Sequence, residues 1–484
     1  MADDTAAASF QRAPCSILLD RTAYIADRPN GTHTAAGFTH AGHAVEVSFQ
    51  LADPPAPSHL CVFFPGGGED TGGPVDPAVV CCEKDMAVVE LRYPGRQYPH
   101  CDAREYYVYR ADPNHPSLDS LPTMYTSYYV PNHYMPSFAP HELGLLPGGG
   151  GGYHIAALRV VPPLPSWSPE PVDHYPVYLY VLSSKTREWS ITTVRSPWLR
   201  PPPGSYNHYA DAKHRAPHET HKVIWLGGST LGFVDFRRGI LCYDVLNVSE
   251  DDQPPLHCIP FPPPVGSNWR VFLENRAASI RDVAFIDGVV RLVEVENLKR
   301  MVVLRAAARK CIPDVVHDSD FEKLSASSRA GDTMDRFSWA NDGLRVVMWT
   351  RHLHNSDDHW KKSYDAISED IAIGDGDPGH LGLLPPELMA NNNGGSGSEA
   401  TLTKDHEAGA PALSVHDGDV VVYLVCKRDQ RTDETGWLLG INTRTERVQH
   451  VASVSTGKAA VPDSFFGPPI PSPYIPCSIS THMS

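Results

Sequence analysis

The chain has 484 residues, 41% of them hydrophobic and 20% charged, which suits a globular protein with a sizeable core. Its formal net charge of −16 argues against bulk binding to nucleic acid or to an anionic membrane, since both require a basic surface. No run approaches the ~18 apolar residues of a spanning helix, and the acidic opening at 1–10 lacks the apolar core of a secretory signal.

The 45 prolines and 37 glycines punctuate short strands and loops, because proline removes a backbone donor and glycine weakens helix interiors. The expected class is all-β and mainly antiparallel. Residues 1–14 read as a disordered tail. Candidate strands follow at 16–25, 44–51, 60–64, 87–93 and 105–109, with an irregular loop rich in proline, tyrosine and histidine over 111–140. Strands at 153–161, 177–182 and 189–194 come next, the middle one apolar on both faces, as expected of a strand covered on both sides.

The most regular stretch is 223–245, read as three short strands broken at Gly227-Gly228 and at Arg237-Arg238-Gly239. Its last half recurs at 279–295 and 413–426, each with an Asp-Gly turn, and more weakly at 337–349 around Asn341-Asp342-Gly343. A strand unit recurring at roughly 50 residues suggests a β-propeller or a propeller-like repeat of antiparallel sheets. A polar stretch at 318–333 has room for one helical turn. The acidic, glycine- and asparagine-rich insertion lengthens the last interval, and 391–410 is expected to be mobile. One propeller-like domain therefore spans 15–466, and 467–484 is a loose proline-rich tail from which a few residues could pair with the first strand to close a ring.

The segments Leu18–Ile25, 45–55, 61–65, Ile224-Trp225-Leu226, Gly232–Asp244 and Pro260–Pro264 together resemble the plant family called domain of unknown function 1618. The resemblance covers most of the chain, with the family-defining region at about 224–350, and it implies a flowering-plant source, a grass above all. It implies no activity. The strand texture is also similar to kelch-like propellers attached to F-box proteins. The F-box itself is missing, and Leu384-Pro-Pro-Glu-Leu388 only imitates its opening letters.

Chemistry-bearing residues are few against this background. Asp235, Arg237, Arg238 and Asp244 are the charged members of an apolar stretch. They read either as a partner-binding turn at the propeller rim or as a solvated hairpin tip with the aspartates bonding turn amides. His352, His354 and His359 are the weak metal candidates, without the tightly paired spacing of structural zinc sites. Cys81-Cys82 reads as a buried thiol pair rather than a redox motif. Trp225, Trp339 and Trp349 read as core. The glycine runs at 66–68 and 148–152 lack the Lys-Ser/Thr and helix of a phosphate loop, and no hydrolase or kinase signature is present. No cofactor is expected. The reading is a non-catalytic scaffold for an unidentified protein partner, cytoplasmic or nuclear because the ten cysteines are scattered and several of them sit inside apolar strands, as in a reduced protein with mostly buried thiols. The alternative is a hydrolase-like enzyme with a polar site in the central channel. Charged residues converging on that channel would favour the enzyme, and a flat apolar or aromatic patch on one rim would favour the scaffold.

Overall fold

The computed structural model describes residues 16–29, 33–65, 76–93, 103–122, 138–160, 177–194, 218–247, 256–274, 276–304, 336–353, 359–373, 389–390, 401–404, 406–416, 418–427, 435–455 and 472–483. The stretches 1–14, 318–333 and 391–400, His354 and the F-box-like letters at 384–388 lie outside them.

Antiparallel sheets follow one another along the chain. The first holds Tyr24–Ile25, Ala35–Phe38, Ala44–Gln50 and His59–Phe63. The second holds Asp76–Glu83, Met86–Tyr93, Ala103–Arg110 and Ser117–Ser120. Gly144–Pro147, Tyr153–Val160, Val177–Ser183 and Glu188–Val194 make the third. The fourth comprises Lys222–Trp225, Thr230–Asp235, Gly239–Asp244 and His257–Pro260, and the fifth Arg281–Ile286, Val289–Leu304, Arg336–His352 and Lys361–Ile367. In the sixth, Glu407–His416, Asp419–Lys427, Thr435–Asn442 and Arg447–Ser455 are widened by three two-residue strands, Ala372–Ile373, Thr401–Leu402 and Met389–Ala390.

The turns form where local chemistry places them. Asp287 and Gly288 have φ of 53° and 78° and join Ile286 to Val289, the two positive values that a tight two-residue hairpin demands. Gly343 behaves differently. Instead of turning a hairpin it sits inside the long strand Arg336–His352 at φ 105°, beside the register shift at Asn297/Lys299. The partner strand Val289–Leu304 pairs with both halves, so the glycine serves a bulge.

Successive apolar residues bury opposite faces of each sheet. Val88 packs between the second and third sheets while Val89 packs toward the first. Leu292 faces the fourth sheet and Val293 the sixth. Leu158 and Leu179 meet Phe233 and Leu241 between the third and fourth. The period-two geometry of a strand thus turns continuous apolar runs into the contents of two separate cores.

The succession closes on itself. Ile17–Asp20 pairs antiparallel with Tyr474–Cys477. Leu18 and Tyr474 pack on Val421 and Tyr423 of the sixth sheet, whereas Ile17, Leu19 and Ile479 join the core of the first and second. Reciprocal bonds from Asp20 N to Ser58 O (2.8 Å) and Ser58 N to Leu18 O (2.7 Å) run the closing pair into the first sheet. The all-β, propeller-like architecture expected from the repeats is therefore present, and so is the ring-closing pair.

Two expectations fail here. Residues 472–483 are no loose tail, because Tyr474, Ile479 and Met483 are buried. Nor is 401–410 uniformly a mobile insertion: Leu402 and Ala408 are buried, and Thr401 pairs with both Ala372 and Ala390. The polar composition of 391–410 hid these few apolar contacts.

Candidate functional site

Three arrangements carry chemistry. The first is the hairpin Thr230–Asp244. Asp235 is wholly buried, and its carboxylate accepts from Arg237 N (2.9 Å), Arg238 Nη1 (2.9 Å) and Glu219 N (3.2 Å). Burial pushes this carboxyl up, but His218, His221, Arg238 and Arg237 outweigh it and hold it at about 2. Burial lowers His218 to about 4 and also depresses His221, whose Nδ1 accepts from Phe236 N at 3.3 Å. At neutral pH both imidazoles are uncharged, so the arginines and the three N–H donors keep Asp235 ionised.

The picture of a solvated tip thus fails for Asp235, although its predicted bond to a turn amide is present. Residues 218–221 fold over the turn and exclude water. Asp244 lies at the other end of the hairpin, opposite Thr230, and bonds Leu246 N at 3.3 Å. Three of the four charged residues converge, and the fourth does not. His218, Glu219 and His221 were missed, and a run of polar residues directly before an apolar strand is the signal that could have marked them.

The second arrangement is an axial channel of about 780 Å³. Strands of the second, fourth, fifth and sixth sheets and the closing strand Tyr474–Cys477 contribute to its wall, together with Arg21 and, just ahead of the third sheet, His141 and Leu143. Lys222 Nζ donates to Asp282 Oδ1 (2.6 Å) and Val283 O (2.9 Å), while Asp282 Oδ2 accepts from Leu413 N (2.9 Å). This chain of bonds ties the fourth, fifth and sixth sheets together. Across the channel Arg21 donates to Val80 O (2.9 Å) and Ser472 O (3.2 Å), and burial lowers its guanidinium to about 10. Burial raises Glu83 to about 7 against the opposing pull of Lys222, and burial lowers His141 to about 3. Lys84 Nζ lies 4.4 Å from the ring centroid of Trp225. Trp225 is half-buried: it packs on the core between the third and fourth sheets and also lines the channel. Cys81 also lines the channel, and burial pushes its thiol up to about 12, far from the thiolate that redox chemistry needs.

The third arrangement is aromatic and outward-facing. Trp269 is 41% and Trp339 47% exposed, and Arg270 Cζ stacks 5.7 Å from the Trp339 ring. Trp339 sits on the part of the long hairpin beyond the bulge, opposite Met301, and Trp269 opens the short helix Trp269–Leu273. A buried ion pair fixes that helix. Arg281 Nε and Nη2 clasp Glu294 Oε2 at 2.9 and 2.7 Å with both side chains fully buried, and Glu294 Oε1 accepts from Val265 N and Asn268 Nδ2. Trp349 is core, as expected, but Trp339 is not. A tryptophan among apolar letters reads as core until its strand is seen to run past the sheet.

Of the three metal candidates, His354 lies outside the described residues. His352 and His359 are both exposed, and among the described residues no group of three or more His, Cys, Asp or Glu could hold an ion.

Residues 233–423 match the family model described as "Protein of unknown function (DUF1618)". The match starts inside the hairpin and runs into the sixth sheet, well beyond the expected limit near 350. No curated protein matches the chain. Among solved structures, a mutant levansucrase of B. megaterium is similar over 90% of this chain and 93% of that one, with 8% identity and a TM-score of 0.26. That score is too low to bear on fold or function.

Proposed function

We propose that this protein is a non-catalytic scaffold that binds a protein partner through Trp269, Arg270 and Trp339. The observation that carries the reading is the pair of exposed tryptophans flanking an exposed arginine, on a helix that the buried Arg281–Glu294 pair holds in place. Tryptophan and arginine dominate the energetic centres of protein interfaces, and large aromatic rings left in water are otherwise costly. The chemistry fits an extended segment with an apolar side chain for the two indoles and a carboxylate for Arg270.

Selection of peptides from a displayed random library against the purified protein tests this. The expected winners place an acidic residue next to an apolar one and fail to bind a Trp269→Ala/Trp339→Ala variant. Winners indifferent to that double substitution would sink the reading.

A setting in the cytosol or nucleus is supported by the cysteines, since those described are free thiols, with Cys61, Cys82, Cys242 and Cys426 buried. The likeness of the quoted segments to the plant family supports a flowering-plant source.

A specific observation favours the second reading, an enzyme of hydrolase type. Glu83, held at about 7 by burial, shares the channel with Lys222 and Asp282, and a carboxyl poised near neutrality is suited to proton transfer. Turnover of a broad ester and glycoside panel by the wild type, abolished in Glu83→Gln, would establish that reading. Activity equal in both proteins would discard it.

A further inference from the structure

Between the third and fourth sheets lies a cavity of about 270 Å³, separate from the aromatic patch. Its size falls just below the range of about 300–1,000 Å³ usual for ligand pockets. Glu142, Arg159, His218, Glu219, Thr220 and Arg237 supply its polar lining, and Leu158 and Val160 its apolar floor. His218 and Thr220 are 8% and 4% exposed. Yet His218 Nε2, Thr220 Oγ1 and Arg237 Nε are buried without a hydrogen-bond partner among the described residues. An unsatisfied buried polar atom costs free energy, and here three belong to residues that line one cavity.

The charges of the lining are already matched. Arg159 Nη2 meets Glu142 Oε2 at 3.0 Å, and Arg237 Nη2 lies 3.6 Å from Glu219 Oε2. An anion or a cation entering the cavity therefore finds no unmatched counter-charge. What is left over is neutral chemistry. The Phe233 carbonyl bonds the His218 imidazole, which leaves Nε2 as an acceptor. Thr220 offers a hydroxyl that both donates and accepts, and Arg237 Nε offers one N–H.

We infer that this cavity is a binding site for a small neutral polyhydroxylated molecule of monosaccharide or cyclitol size, with its hydroxyls on His218 Nε2, Thr220 Oγ1 and Arg237 Nε and its C–H face on Leu158 and Val160. Each hydroxyl of such a ligand can donate and accept, which matches a lining that presents an acceptor, a hydroxyl and a donor side by side. The inference does not depend on the aromatic patch, so either can fail alone.

The test titrates the full chain with myo-inositol, a set of neutral aldohexoses and inorganic phosphate. Calorimetry and saturation-transfer NMR are the readouts, because sugars at high concentration stabilise proteins without binding. One or more of the neutral probes should bind saturably and phosphate should not. Thr220→Val keeps the shape and removes only the hydroxyl. It should leave the fold at least as stable as wild type and weaken the bound probe about three- to tenfold, the loss of one hydrogen bond. His218→Gln should weaken it comparably. The inference is overturned by no saturable binding of any neutral probe, by phosphate binding in their place, or by neutral-probe binding that neither variant changes.

Discussion

Arg281 and Glu294 stand directly opposite one another on adjacent strands of the fifth sheet, and both side chains are fully buried. Their bidentate contact is only part of the arrangement. Arg281 also donates to Phe236 O and Pro262 O at 3.0 Å each and lies 4.5 Å from the centroid of Phe272. One guanidinium thus joins the rim hairpin, the proline connector and the short helix that presents Trp269.

Removing one partner of this pair should be severe. Glu294→Ala leaves a buried cation without its carboxylate and is expected to cost about 3–5 kcal/mol. Arg281→Met/Glu294→Leu removes both charges and should recover much of that loss. Denaturant unfolding of the three proteins checks the order. A single variant as stable as wild type would mean that the pair is not held as described.

The rim hairpin gives a second comparison. Leu241 is 1% exposed, so Leu241→Ala should cost roughly 2–5 kcal/mol. An exposed turn would lose little when both arginines are cut to alanine. With Asp235 fully buried, however, Arg237→Ala/Arg238→Ala strands a carboxylate and should destabilise on a similar scale. Adding Asp235→Asn to the double variant should restore part of the loss. Thermal melts that put the double-arginine variant beside wild type would refute this account.

Acid should weaken the fold from about pH 6.5 downward. His218 and His141 have folded values near 4 and 3 against an ordinary 6.5, so the unfolded chain binds more protons across that window and stability falls with pH. Glu83 works the other way. Its folded value near 7 exceeds the ordinary 4.5, so the folded state holds the extra proton between those values, and stability from this group declines as pH rises through them. Asp235, depressed to about 2, adds its own loss only below about pH 4. Glu83→Gln removes the opposing contribution and should steepen the decline between pH 6.5 and 4.5. Urea midpoints across this range, for both proteins, provide the measurement. A shallower decline in the variant would contradict the assignment.

Two glycines should respond very differently to alanine. At Gly239 the backbone has φ 151°, and an added Cβ would lie 2.1 Å from Ile259 O. The outer strand His257–Pro260 would have to move, with a loss on the order of 3 kcal/mol or more. At Gly288, φ is 78° and nothing lies within 4 Å of the added Cβ, so only the backbone conformation is penalised, by about 1 kcal/mol. Equal losses in calorimetric melts would show that the close approach at Gly239 is absent.

The alternation of apolar letters with glycine and Asp-Gly pairs was enough to establish antiparallel strands, most hairpins and a repeating ring, because pleat period and turn conformation are local properties. The same local reading misjudged Gly343, since a glycine with positive φ suits a bulge as well as a turn and only the partner strand decides between them. It also took Asp235 for a surface residue and Trp339 for core. Burial there depends on residues 218–221 folding over one turn and on a strand running past its sheet. Arg281 and Glu294 gave no signal at all, lying 13 positions apart on the two sides of an Asp-Gly turn. The convergence of Arg21, Glu83, Lys222 and Asp282 on one channel belongs to closure of the ring, which brings innermost strands far apart in sequence to a common axis. Local chemistry determined what each segment became; the tertiary structure alone decided which charges met and which rings stayed in water.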